Sequence, residues 1–167
     1  MISFVDLLDW VGRVTTIVFL LTLVYGIYAW SKGILPALIR LGNGLSKRKI
    51  AIFAKGDHLR SLESLLLDSK LFDKKNVIDI SADSDFGRAE QATLLLIFWP
   101  DWQDKIADIL SAKKDSTALV VYAPQELGRI PEDKMKELNS KRNVIVVNFR
   151  GRLLNDIVGT LITTSYQ

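Results

Sequence analysis

Thr93-Leu94-Leu95-Leu96-Ile97-Phe98-Trp99 is the stretch on which the fold turns. It is a continuous apolar run bounded by Glu90-Gln91 before and Pro100-Asp101 after. A half-exposed strand would alternate apolar and polar residues. An unbroken short run instead reads as a strand covered on both faces, as in a parallel sheet. Outward from it the same pattern recurs. Lys49 to Ala54, Asn76 to Ile80, Thr117 to Ala123 and Asn143 to Phe149 read as four further strands. Between them lie helical patterns at 57–71, 101–112, 131–140 and 153–163, with a loop and short helix at 82–91. Leu59, Leu62, Leu65 and Leu66 recur at helical spacing in the first helix; Leu153, Ile157, Val158 and Leu161 do so in the last. Pro131 is expected to open its helix in the first turn. Strands alternating with helices predict an α/β fold: a five-stranded parallel, flavodoxin-like sheet of order 2-1-3-4-5 with helices on both faces.

The first third of the 167-residue chain is different. Val14 to Ser31 carries no charge, and eighteen residues at the helical rise cover about 27 Å, close to a bilayer's hydrocarbon core. Tyr25, Tyr28 and Trp30 gather at its C-terminal end, as interfacial anchors do. A cleaved signal peptide would have a basic n-region, whereas Asp6 and Asp9 precede this run and no small-residue cleavage site follows it. An in-plane helix would need a polar face. A buried helix of a soluble protein is the remaining alternative. The reading adopted is an N-terminal lead-in and transmembrane helix at 1–32, a juxtamembrane linker at 33–48 broken by Pro36 and turned at Gly42-Asn43-Gly44, and a domain at 49–167. Ile2, Phe4, Val5, Leu7, Leu8, Trp10 and Val11 give the lead-in a broadly amphipathic pattern.

Charge sets the expected orientation. Residues 1–49 hold six basic residues (Arg13, Lys32, Arg40, Lys47, Arg48, Lys49) against Asp6 and Asp9, and five of the six follow the apolar run. The remainder carries 16 basic and 17 acidic residues. The positive-inside rule then predicts a single pass in the inner membrane, N-terminus out and C-terminal domain in the cytoplasm. The lipid bilayer is one expected partner, while duplex nucleic acid is not, because the domain lacks a basic footprint. The absence of cysteine removes disulfide scaffolds and thiol nucleophiles, and with one histidine no metal or other cofactor is expected.

In open parallel sheets ligands bind beyond the carboxyl ends of the strands. Four segments meet that edge: Lys55-Gly56-Asp57-His58, Pro100-Asp101-Trp102, Pro124 to Arg129, and Arg150-Gly151-Arg152. Lys55, Gly56 and Asp57 read either as an anion site at a helix start or as a turn with Asp57 as its cap. Arg150, Gly151 and Arg152 read either as a guanidinium clamp for phosphate or as partners of Asp156 or Glu126. Trp102 and Trp99 would stack on a purine or pack under the next helix. His58 is a general-base candidate or a solvated helix-end residue. The dinucleotide and P-loop glycine fingerprints are absent. The candidate ligand residues are therefore Lys55, Gly56, Asp57, Trp102, Arg150, Gly151 and Arg152, with no catalytic residue assigned.

The run Ala89 to Pro100, followed by a tryptophan-containing helix and Val120-Val121-Tyr122-Ala123-Pro124, resembles the helix-to-strand passage of TIR-like domains. NAD-cleaving members carry a catalytic Glu in the helix after the third strand; here Asp104 and Asp108 stand there. The receiver family's phosphoacceptor Asp is missing at Leu96-Ile97-Phe98-Trp99. A membrane helix joined to a Rossmann-like domain also resembles small bacterial anti-phage effectors, in which CARF-like domains sense nucleotides. The resemblance implies a homo-oligomeric membrane sensor or effector with a nucleotide ligand or a protein partner. A TIR-like hydrolase using Glu90, Asp101 or Asp104, and a membrane scaffold, are the alternatives.

Overall fold

The computed structural model describes residues 4–164. They divide into two compact units, 1–42 and 43–167. The first unit is helical: α1 spans Phe4–Ser46. Within it Leu8–Gly33 has a mean hydropathy of 1.7, and none of its most apolar window is buried within the chain. The helix is thus long and apolar enough to cross a membrane. Thr15, Thr16 and Thr22 each donate their hydroxyl to the carbonyl four residues earlier, at 2.8, 2.9 and 2.9 Å. The helix itself therefore satisfies these polar groups. Arg13 pairs with Asp9 at 2.8 Å on its first turns. Ile2 of the expected lead-in lies outside the described residues.

The break expected at Pro36 and the turn expected at Gly42-Asn43-Gly44 are corrected. Helix runs through Pro36 and through Gly42-Asn43-Gly44 to Ser46. Proline removes one intrahelical bond and each glycine costs about 1 kcal/mol. Neither ends a helix whose nucleation cost has already been met upstream, because each added residue still gains a bond.

In the second unit, β1 (Ile50–Phe53), α2 (Gly56–Asp68), β2 (Val77–Ile80), α3 (Phe86–Ala89) and β3 (Leu94–Phe98) are followed by α4 (Trp99–Trp102) and α5 (Ile106–Ala112). Then come β4 (Ala118–Tyr122), α6 (Glu132–Asn139), β5 (Val144–Val147) and α7 (Arg150–Thr163). The five strands pair in parallel in the order β2-β1-β3-β4-β5. Every residue of β1, β3 and β4 is buried. Alternate residues feed two cores. Ile50, Ile52, Leu94, Leu96 and Val120 meet Leu62 and Leu66 of α2 and Leu153, Ile157 and Leu161 of α7. Ala51, Phe53, Leu95, Ile97, Leu119 and Val121 meet Trp102, Ile106, Ile109 and Leu138.

Three boundaries differ from expectation in ways that matter. The helix expected at 101–112 is broken into α4, a 3-10 turn at Gln103–Lys105, and α5. Trp99 and Trp102 turn into the core there, and one uninterrupted α-helix does not follow them. The last helix begins at Arg150, so Arg150-Gly151-Arg152 forms its first turn and is not a loop. Pro131 precedes its helix as the N-cap residue.

The two sheet edges are unlike. On β2, Lys74 donates to Glu63 and to Asp79 (3.0 Å to the latter), and Arg88 donates to the Asp79 main-chain carbonyl at 3.2 Å. The hydrogen bonds from Lys74 to Glu63 and Asp79 hold its amine above the ordinary lysine value. On β5, Leu119 N–H donates to the Asn143 carbonyl and Ala123 N–H to that of Val147. Parallel pairing therefore turns the main-chain groups of Val144 and Val146 outward. Ile145 on this strand is 38% exposed.

Leu96 is completely buried at the centre of the sheet. Leu96→Ala is expected to lower the unfolding free energy of the full chain by about 2–5 kcal/mol in urea denaturation.

Candidate functional site at the carboxyl edge of the sheet

After β1 the chain crosses into α2 on one face of the sheet. After the neighbouring β3 it enters α4 and α5 on the other. Adjacent strands whose connections leave in opposite directions open a crevice at their carboxyl ends. Lys55 and Gly56 enter it from β1, and Pro100 and Asp101 from β3.

Asp101 organises this edge. Its Oδ2 accepts the Lys55 N–H at 2.7 Å. Both of its carboxylate oxygens lie 3.3 Å from His58 Nδ1. The carboxylate is largely buried, at 14% side-chain exposure, while His58 is half open at 49%. The His58 ring lies tilted against Phe98, 4.2 Å between centroids. Lys55 reaches over the Trp102 ring, with Nζ 5.2 Å from its centroid. Gly56 has φ +52°, a left-handed conformation that glycine adopts without penalty. The carbonyl of Lys55 accepts the N–H groups of His58 and Leu59, which begins the ladder of α2.

The structure places the expected residues as follows. Lys55 and Gly56 follow β1 at the carboxyl edge of the sheet. Asp57 does not cap α2: its side chain is open to solvent and pairs with Arg60 at 3.0 Å. The backbone donor at this turn is met by Asp101, from a different strand. Trp102 is not available to stack on a ligand. It is 1% exposed and packs edge-on against Phe53 (5.4 Å) and Phe86 (5.5 Å). Its Nε1 is buried without a hydrogen-bond partner. Arg150 donates to the Ser61 carbonyl at 2.9 Å, tying α7 to α2. Arg152 lies 4.0 Å from Asp156 on its own helix, and Gly151 stands between them in the first turn. Among the described residues neither guanidinium bonds to Lys55, His58 or Asp101.

The hydrolase candidates are separated. Asp101 stands at the carboxyl edge, whereas Glu90 follows α3 just before β3 begins, at the opposite edge. There Glu90 lines a small concavity with Phe53, Phe86, Leu95 and Lys113, and burial pushes the Lys113 amine below its usual value. No group of three or more metal-ligating side chains occurs among the described residues.

The pairing of His58 with Asp101 is what sequence reasoning missed. The available clue was positional: His58 stands five residues past β1 and Asp101 three residues past β3, at the one place where the connections diverge. Comparison with family models, curated proteins and solved structures finds no match to the chain. The fold defines the protein's class: a parallel α/β domain carrying a long apolar N-terminal helix.

Removing the shared acceptor takes away the side-chain partner of the Lys55 N–H and of the His58 ring. Asp101→Ala is expected to cost about 1–3 kcal/mol in urea denaturation, and Asp101→Asn, which keeps an acceptor oxygen, distinctly less.

Proposed function

We propose that the chain is a membrane-anchored, homo-oligomeric sensor or effector whose sheet domain binds a small anionic ligand, a nucleotide, at the carboxyl ends of β1 and β3. The observation that carries this reading is the group Lys55, His58 and Asp101 at the carboxyl ends of β1 and β3, where such sheets hold ligands: a largely buried carboxylate accepts the Lys55 main-chain N–H and faces a half-exposed imidazole, and the Lys55 amine lies over Trp102. The anchor is the apolar helix Leu8–Gly33. The basic residues after it favour an inner-membrane location with the sheet domain in the cytoplasm. The resemblance to anti-phage effectors favours a role in phage defence, with ligand occupancy selecting one packing of the domains.

Self-association is supported by the contrast between the sheet edges. β2 is guarded by Asp79, Lys74 and Arg88. β5 is uncharged, with Ile145 exposed and outward main-chain groups unpaired in the sheet, which makes it a template for a second copy.

Two experiments test this reading on the full chain in lipid nanodiscs. Linear and cyclic nucleotides and NAD are screened by thermal shift. A binding nucleotide is expected to raise the melting temperature by several degrees, and Lys55→Ala to abolish the rise. A rise lost in Arg150→Ala/Arg152→Ala but kept in Lys55→Ala would move the site to the start of α7, and no rise with any ligand would favour a scaffold. Separately, Ile145→Lys places a charge on the open edge and is expected to convert the oligomer to monomer in light scattering. An unchanged mass would remove β5 from the interface.

A further inference from the structure

We propose that the amino edge of the sheet is a lipid-docking surface: a row of lysine and arginine side chains that lies against anionic headgroups and seats the domain on the membrane. The proposal rests on the reading of Leu8–Gly33 as a membrane anchor and adds to it the face of the domain that the lipid meets.

The topology gathers the charge. In an all-parallel sheet every strand starts at the same edge, so the residues that precede the strands stand side by side. Lys47-Arg48-Lys49 precede β1, Lys74-Lys75 precede β2, Lys113-Lys114 precede β4 and Lys141-Arg142 precede β5. The acids among these strand starts are Asp73, Glu90 and Asp115. Hydrogen bonds stitch the row together. Asn76 Nδ2 donates to the Arg48 carbonyl at 2.8 Å, the Thr93 N–H to the Lys49 carbonyl at 2.8 Å, and the Ala118 N–H to the Thr93 carbonyl at 3.0 Å. Asn143 Nδ2 closes the far end by donating to the Asp115 carbonyl at 2.9 Å. The carboxyl edge has no such excess, because Asp83, Asp85, Asp101 and Glu126 offset its basic residues. The balanced charge of the domain therefore conceals a segregated one.

Only part of this charge is neutralised within the chain. Lys74 pairs with Glu63 and Asp79, and Lys75 with Asp73 at 3.0 Å. Among the described residues Lys47, Lys114, Lys141 and Arg142 form no salt bridge, and all four are exposed. Lys113 donates to the Lys114 carbonyl at 3.2 Å. Burial pushes the Lys113 amine below its ordinary value; Asp115 opposes that shift, and Lys141 and Arg142 add to it. The cations before β4 and β5 thus repel one another, and an anionic surface relieves that repulsion. Placement selects the partner. Only Lys47-Arg48-Lys49 separate the end of α1 from the start of β1, so the chain of the anchor enters the domain at this edge and not at the other. The helix from Gly33 to Ser46 keeps the row within about 20 Å of the apolar stretch. Anionic leaflets attract lysine and arginine clusters that adjoin a membrane helix. A nucleic acid shares the phosphate chemistry but has no tether to this edge.

The test uses the full chain in nanodiscs of phosphatidylcholine, alone or with added phosphatidylserine. Lysines are acetylated with an uncharged reagent at low salt, and the rate at each is read by mass spectrometry. Lys114 and Lys141 are expected to react about threefold more slowly in the anionic discs, and high salt to erase the difference. Lys55 and Lys105, at the carboxyl edge, are expected to react equally in both. The variant Lys114→Glu/Lys141→Glu, changed at two exposed positions, is expected to bring Lys113 to the same rate in both discs. Equal rates for the amino-edge lysines of the unaltered chain in the two discs would overturn this inference and leave the anchor standing. A chain that fails to float with liposomes of either composition would overturn both. A further sample adds single-stranded RNA to the neutral discs. Protection by the RNA and not by phosphatidylserine would overturn the lipid reading and give the row to nucleic acid.

Discussion

Burial of β1, β3 and β4 on both faces is the constraint from which the rest of the domain follows. Three parallel strands with no exposed residue need a covering layer on each side. Parallel neighbours can be joined only by crossovers, and each crossover must choose a face. α2 and α7 cover one side, and α5 and α6 the other. The choice made after β1 differs from the choice made after β3, so the main chain parts between them at the carboxyl edge. The crevice is thus a by-product of covering the sheet.

What fills that opening is a carboxylate. A helix start carries unpaired N–H groups, and the usual remedy is a capping side chain next to it in sequence. Here Lys55 has no side-chain cap, and Asp101, on the neighbouring strand's connection, accepts its N–H instead. One residue thereby joins the ends of β1 and β3 and orients His58. The same carboxylate lies beneath Lys55, whose amine reaches over Trp102. The tryptophan closes the second core with Phe53 and Phe86.

The helical unit is built differently. Its threonines return their hydroxyls to the helix backbone. Its most apolar stretch, Leu8–Gly33, is long and apolar enough to cross a membrane. Past it, Leu45 packs against the α2–α7 side of the sheet core, and the Lys49 carbonyl accepts the N–H groups of Thr93 and Leu94. The start of the basic cluster's strand is therefore bound into the sheet, and Lys49 itself donates to Gln91 at 2.9 Å.

The sequence by itself determined the layers. Leu94 to Phe98 has no polar residue, so it had to be doubly buried, and the helical spacing of Leu62 and Leu66 or of Leu153, Ile157 and Leu161 had to face it. The uncharged run from Val14 to Ser31 likewise announced a helix of membrane length. Local pattern suffices for these because burial acts on each residue through its own side chain. It did not suffice at helix ends: Gly42-Asn43-Gly44 looks like a turn, Arg150-Gly151-Arg152 like a loop and Asp57 like a cap, yet the structure continues, starts and caps its helices otherwise. Only the tertiary structure decided that Asp101 serves Lys55, 46 positions away, and turns toward His58, 43 positions away. Nothing local to either segment records that pairing. It exists because the sheet sets β1 beside β3 and sends their connections to opposite faces, which brings a donor without a cap and a carboxylate without a partner to the same point.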